Sequence, residues 1–299
     1  MMKKWLLLLL IILCWTGAGF TIFGLPKTQN RDIAPLPSQA NRIVSTASDV
    51  TEILFALGLD EKIVAVSSES DYPPQALTKN KVGTFWQPNI EAVMSAKPDL
   101  VITLGFEQQK NLAERLSRIG CGTLTVNIDK VDELFDAIEK IGAATGTQSK
   151  ANELAGDIRK KIDNLSALVG KEKKARVLWV VQREPLRVAG RDTFINELIE
   201  LAGGENAIGQ TVHKYPPIGA EMVYACGADV IIEPTMGQEN LSMQRELAIK
   251  YWSRFKNVPA VKNGRIYVID GDIVSRLGPR LYESIETIAG CLRPELFAK

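Results

Sequence analysis

The sequence predicts an α/β protein, two parallel-sheet lobes joined by one long helix. Three observations predict it. Short apolar runs alternate with amphipathic helical segments along most of the chain. One long, charged, proline-free periodic stretch interrupts that alternation near the middle. One helix-then-strand phrase also occurs twice, as NIEAVMSAKPDLVI from Asn89 and GAEMVYACGADVII from Gly219. When the two are aligned, Glu91 and Glu221 share a slot at the helix start, and Asp99 and Asp229 share the slot before the strand.

The chain has 299 residues, 45% hydrophobic and 24% charged, with a formal charge of +1. That is a globular composition, long enough for one large or two ordinary domains. No basic stripe points to nucleic acid. The N-terminus reads separately. Lys3 and Lys4 precede an apolar run from Trp5 to Trp15, followed by small residues, so 1–25 is expected to be an export signal or an N-terminal anchor. Three fates stay open at this stage: cleavage, retention, and lipidation at Cys14, where bulky Leu13 precedes the cysteine. Residues 26–41 are proline-rich and polar, the composition of a linker. Cys121, Cys226 and Cys291 are isolated in apolar contexts and read as buried small hydrophobes, with a Cys226–Cys291 bridge as the alternative.

From residue 42 the elements follow in order. RIVSTA is a strand, and SDVTEILFALGLD a helix that Ser48 or Asp49 can cap, with Glu52 as the capping-box acid and Gly58 as the stop. KIVAVS is a strand, SESDYPPQALTKN a turn-rich connection, NIEAVMSAK a helix and PDLVITLG a buried parallel-type strand. A helix, the strand CGTLTVNI and another helix complete a first lobe over 42–147. The charged stretch then places Ala151, Leu154, Ile158, Ile162, Leu165 and Leu168 at helical spacing. It predicts one helix from Gln148 to Val169, about 30 Å long at 1.5 Å per residue, within a connecting segment over 148–172. RVLWVVQ opens a second lobe over 173–299, which ends in a helix that Pro279 can start and Pro294 ends.

Catalytic signatures are weak. The single histidine, His213, offers no multi-histidine metal site and is expected at a surface or cleft lip, with metal ligation as the weaker reading. No P-loop, nucleophile elbow or dinucleotide fingerprint occurs. What stands out is aromatic residues in loops: Tyr72, Phe85 and Trp86, with Phe106 just past a strand end and Tyr215 before Pro216. Ligands of open α/β sheets bind outside the carboxyl ends of the strands. A cleft there, lined by rings, would grip a large, flat, partly apolar molecule.

RIVSTASDVTEILFALGLDEKIVAVSSESDYPP, NIEAVMSAKPDLVIT, RVAGRDTFINELIELAGGENA and GDIVSRLGPRLYESIE together resemble the helical-backbone periplasmic binding proteins. These are receptors that pass cobalamin, haem or ferric siderophores to ABC importers. The resemblance covers about Arg42 to Phe297 and is most similar to the cobalamin-binding type. It implies two Rossmann-like lobes, a rigid connecting helix, a ligand cleft between the lobes, and an exported monomer that is not an enzyme. The cargo it implies is cobalamin or another metal chelate, with no resident cofactor. Glu69, Trp86, Phe106, Tyr215, Asp272 and Arg276 fall where cobalamin-contacting positions lie, with Glu69 in place of a tyrosine and Phe106 and Tyr215 in place of tryptophans. Glu91 and Glu221 match the acidic residues that dock each lobe onto arginines of the permease dimer, the second partner implied.

Overall fold

The computed structural model describes residues 36–297 except 38, 171–172 and 236–239. The signal or anchor expected over 1–25, Cys14 within it, and the first part of the 26–41 linker lie outside the described residues. Residues 43–145 alternate strand and helix: β1 (Ile43–Ser45), α1 (Ser48–Ala56), β2 (Ile63–Val66), β3 (Asn80–Lys81), α2 (Ile90–Ser95), β4 (Leu100–Leu104), α3 (Glu107–Arg118), β5 (Gly122–Val126) and α4 (Val131–Thr145). The strands form one sheet in the order β3-β2-β1-β4-β5, every pair parallel. β4 explains why its sequence shows no alternation: all five of its residues are buried, because apolar cores cover both sheet faces.

The connecting helix α5 runs Gln148–Val169. Its buried side is Ala151, Ala155, Ile158, Ile162, Leu165 and Val169. Leu168, expected on that side, is half exposed and Val169 takes its place. A strict three-residue step drifts off a face that repeats every 3.6 residues. One continuous apolar core runs from Ile43 and Leu100 through the inner side of α5 to Trp179 and Leu292. The helix is therefore a packed spine. Bending it would expose Ile and Leu side chains, each worth about 1.5–3 kcal/mol when buried.

The second half contains β6 (Ala175–Arg183), β7 (Leu186–Val188), α6 (Phe194–Leu201), β8 (Gly204–Asn206), α7 (Ala220–Ala225), β9 (Val230–Pro234), α8 (Leu241–Trp252), α9 (Pro259–Lys262), β10 (Ile266–Ile269), α10 (Gly271–Val274), α11 (Leu281–Leu292) and α12 (Pro294–Phe297). Its sheet has the order β10-β9-β6-β7, with β8 also on β6. The pairs are parallel except for the β6–β7 hairpin. Pro294 opens the short helix α12 as well as closing α11. Strands β3, β7 and β8 fall where the sequence shows only turns, being two or three residues long. Cys121, Cys226 and Cys291 are free and buried, so the alternative of a Cys226–Cys291 bridge is not realised. Burial pushes the Cys291 thiol up to about 12, an unreactive state.

The doubled phrase has a structural cause. Asp99 accepts hydrogen bonds from the backbone N–H groups of Asn41 (2.9 Å) and Arg42 (3.0 Å). Asp229 accepts one from Arg176 N at 2.9 Å. Each carboxylate thus pins the chain where it enters the first strand of its own half.

Candidate functional site

The loops at the carboxyl ends of the first sheet carry most of the residues expected to line a cleft. After β3, Gly83 turns the chain at φ 98°, and a Cβ there would lie 2.6 Å from Gln87 O. Gly83 pairs with Pro88, closing a tight loop that presents Phe85 and Trp86. Two ties hold it: Phe85 N donates to Glu69 Oε2 at 3.0 Å, and Phe85 O accepts from Gln109 Nε2 at 3.0 Å. Gln109 is fully buried. Its Oε1 accepts from Thr46 Oγ1 (2.6 Å) and Leu104 N (2.7 Å), so one amide joins the ends of β1 and β4 to the aromatic loop.

The rings of Phe85, Trp86 and Phe106 form one cluster. Centroids are 5.0 Å apart for Phe85–Trp86, 4.6 Å for Phe85–Phe106 and 5.5 Å for Trp86–Phe106. Such pairs add about 0.5–1.5 kcal/mol beyond burial. Trp86 is nevertheless 64% exposed. A large apolar ring held in place from behind and open in front is a platform suited to a flat ligand.

A second cluster joins the two halves of the chain. Gly271 lets α10 approach Thr235, whose carbonyl would be 1.9 Å from a Cβ at that position. Asp270 caps α10 by accepting from Asp272 N at 2.9 Å. Asp272 pairs with Arg276 at 2.7 Å and with Arg280 at 2.9 Å. Arg276 crosses to Asp71 of the first half at 2.6 Å and donates to Glu69 O at 3.4 Å. Arg280 crosses to the buried Glu52 through Nε (2.9 Å) and Nη2 (2.6 Å), with its guanidinium 3.9 Å from the Tyr72 ring centroid. Burial works against ionisation of Asp71, but the hydrogen bond and charge of Arg276 outweigh it and hold the carboxyl below its usual range. Asp49, partly exposed beside this cluster, is pushed up to about 7, first by burial and then by Glu52, with Arg276 and Arg280 opposing.

The expected site residues therefore fall into two assemblies. Glu69, Phe85, Trp86 and Phe106 meet around the aromatic loop, while Tyr72, Asp272 and Arg276 belong to the charged bridge, which Glu69 touches through its carbonyl. Tyr215 stands apart, packed on the main core near Asp129 after β5. Burial and then Asp129 push its phenol up. His213 is exposed, and among the described residues no group of three or more His, Cys, Asp or Glu side chains is arranged to hold a metal. Glu91 and Glu221 are both exposed in first helical turns, of α2 and α7. Asn89 caps α2, accepting from Glu91 N and Ala92 N, whereas Gly219 at the start of α7 has no side chain to do so.

The expected cap of α1 is corrected. Neither Ser48 nor Asp49 caps α1: Ala47 holds the N-cap position without a side-chain bond, and Glu52 is the buried partner of Arg280. Sequence reasoning missed Asp49, Glu52, Asp71, Gln109 and Arg280. The spacing of Arg276 and Arg280, four residues apart in SRLGPR, was the one local signal available.

Residues 43–273 match the family model described as periplasmic binding protein. An uncharacterized ABC transporter substrate-binding lipoprotein of Bacillus subtilis is 30% identical over 275 residues, covering 90% of this chain and 84% of that relative. The solved periplasmic vitamin B12 binding protein BtuF of Vibrio cholerae aligns with a TM-score of 0.72 and 28% identity, over 86% of this chain and 98% of that one. The periplasmic heme binding protein HutB of the same species aligns with a TM-score of 0.74 and 26% identity, over 86% and 99%.

Proposed function

Because the chain belongs to the periplasmic binding protein family, we propose that its cargo is a corrinoid, cobalamin or a close relative, held between the carboxyl ends of the two sheets. The chain is the substrate-binding component of an ABC transporter and works in the periplasm or at the outer face of the cytoplasmic membrane. Among the described residues no helix is long and apolar enough to cross a membrane. In this reading 42–147 and 173–299 are two jaws and 148–172 is their connector.

The observation that carries the corrinoid reading is Trp86, 64% exposed yet backed by Phe85 and Phe106. Open ring faces bind a broad planar macrocycle through area and polarisability. Glu69, Tyr72 and Tyr215 supply polar atoms for its rim, and Asp272 and Arg276 supply charge. The similarity to BtuF supports the same reading. Glu91 and Glu221 are the docking carboxylates, one on each jaw, able to form bidentate bonds with arginines of a two-fold permease.

A second reading, a haem or ferric-siderophore receptor, is favoured by one feature. The Tyr72 phenol has no hydrogen-bond partner among the described residues, and a phenol oxygen suits ferric iron. The similarity to HutB is in keeping with it. Titration with cyanocobalamin, dicyanocobinamide, haem and ferric siderophores, followed by absorbance and by tryptophan fluorescence, tests both. Saturation by a corrinoid supports the first reading, saturation by haem or a ferric siderophore alone moves the function to the second, and no saturation by any of them overturns both.

A further inference from the structure

At the carboxyl ends of β6 and β9 lies a crevice of about 250 Å³ lined by Val180, Val181, Gln182, Arg183, Pro234 and Gln244, with Glu233 at its base. None of these residues belongs to the two assemblies above. β6 is the strand from which the second half builds outward, with β9 on one side and β7 and β8 on the other. Open α/β sheets place ligands in the crevice where strand order reverses, at the carboxyl ends.

Arg183 is built into this crevice. Its Nε donates to Glu233 Oε2 at 2.8 Å, and its Nη2 lies 2.6 Å from the same carboxylate and donates to Gln244 O at 3.2 Å. Glu233 is 4% exposed, and its other oxygen accepts from Trp252 Nε1 at 2.5 Å. Both carboxylate oxygens are thus engaged, and the guanidinium is locked in orientation. Nη1 has no partner among the described residues. Glu233 takes Nε and one N–H of Nη2, and Gln244 O takes the other N–H of Nη2, so Nη1 alone remains for an occupant. Val181 and Pro234 are apolar neighbours of that donor in a crevice that is open to solvent. Gln244, whose side chain has no partner among the described residues, adds a second donor.

We infer that this crevice is an oxyanion subsite of the cleft, with Arg183 Nη1 as its donor, and that it receives a phosphate or carboxylate at the edge of the transported chelate. The inference rests on the proposed receptor reading. The crevice is too small for a macrocycle, since whole-ligand pockets run about 300–1,000 Å³, but it suits a side arm. Arg183 and Glu233 together are neutral, so recognition comes from oriented hydrogen bonds and the effect is about tenfold in affinity.

Two ligand pairs separate the sources of the anion. Cyanocobalamin carries a phosphodiester that dicyanocobinamide lacks, and haem carries two carboxylates that its dimethyl ester masks. Arg183→Lys keeps a cation beside Glu233 and removes Nη1. It should weaken the anion-bearing member of whichever pair binds about tenfold and leave the other member unchanged. Equal weakening of both members, or of neither, overturns the subsite. A second arm needs no cargo: the guanidinium resonances of Arg183 in the wild type should shift saturably on titration with inorganic phosphate. If no chelate saturates the protein, the receptor reading fails while the phosphate arm still decides the subsite, and unshifted resonances overturn it.

Discussion

Arg280 grips Glu52 across 228 residues of sequence, with Nε 2.9 Å from Oε2 and Nη2 2.6 Å from Oε1. The pair links the helix after the first strand to the start of the helix that closes the second half. Glu52 is 3% exposed and Arg280 9%. Removing one member leaves a buried charge with only its weaker partner, Arg276 Nη1 at 3.5 Å for Glu52 or Asp272 at 2.9 Å for Arg280, a loss of up to about 3–5 kcal/mol. Arg280→Met should lose that much stability in urea unfolding, and Glu52→Gln somewhat less because the amide still accepts a hydrogen bond. The double substitution Glu52→Leu/Arg280→Met should recover most of the loss, because no charge is left unpaired. A double mutant as unstable as Arg280→Met alone would mean that packing, rather than charge pairing, dominates the site.

Asp49 gives this corner a pH dependence. Its carboxyl is raised from 3.8 to about 7, so the fold favours the protonated acid. The stability it contributes is complete below about pH 4 and is lost as pH rises through about 7. Asp49→Asn stays neutral throughout. Its melting temperature relative to wild type should therefore climb between pH 4 and pH 8, reaching the equivalent of about 1–2 kcal/mol at the upper end, a figure held down by the partial exposure of Asp49. A difference that does not change with pH would refute the raised carboxyl.

Trp86 separates binding from folding. Since it is 64% exposed, Trp86→Ala should leave the melting temperature within a degree or two of wild type. Cargo affinity should fall by about 1–3 kcal/mol, the loss expected for an aromatic anchor. Isothermal titration alongside calorimetry reads both, and unchanged affinity would reduce Trp86 to a surface cap.

Glu91 and Glu221 are expected to serve the permease alone. The double change Glu91→Ala/Glu221→Ala should abolish transport in proteoliposomes while cargo affinity stays within error. Exposed first-turn glutamates contribute only about 0.3–1 kcal/mol to their helices, so unfolding should barely move. Docking of the wild type should weaken as salt rises past roughly 0.15 M, where the screening length is about 8 Å. Normal transport by the double mutant would reject the assignment.

Local pattern was enough for the architecture. The apolar runs of β4 and β9, the periodicity of Gln148–Val169 and the repeated Glu-to-Asp phrase are properties of neighbouring residues, and the backbone has few ways to satisfy them. The aromatic loop was legible for the same reason, since rings between turn residues stand out in any reading. Strands β3, β7 and β8 were not, because each is two or three residues set among turn residues, whereas β1, also three residues long, is marked by Ile43 and Val44 in RIVSTA. Glu52 illustrates the limit best. A glutamate three residues after a capping residue reads as a capping-box acid, and nothing within that helix distinguishes the two roles. Only the arrival of Arg280 from the other end of the chain makes Glu52 a buried ion-pair partner. Gln109 is equally ordinary in sequence, yet it ties two strand ends to the Phe85 loop. Periodicity is written into each segment by its own burial. Charge pairing and buried amide bonds are decided by which segments meet, and that meeting is a property of the folded chain.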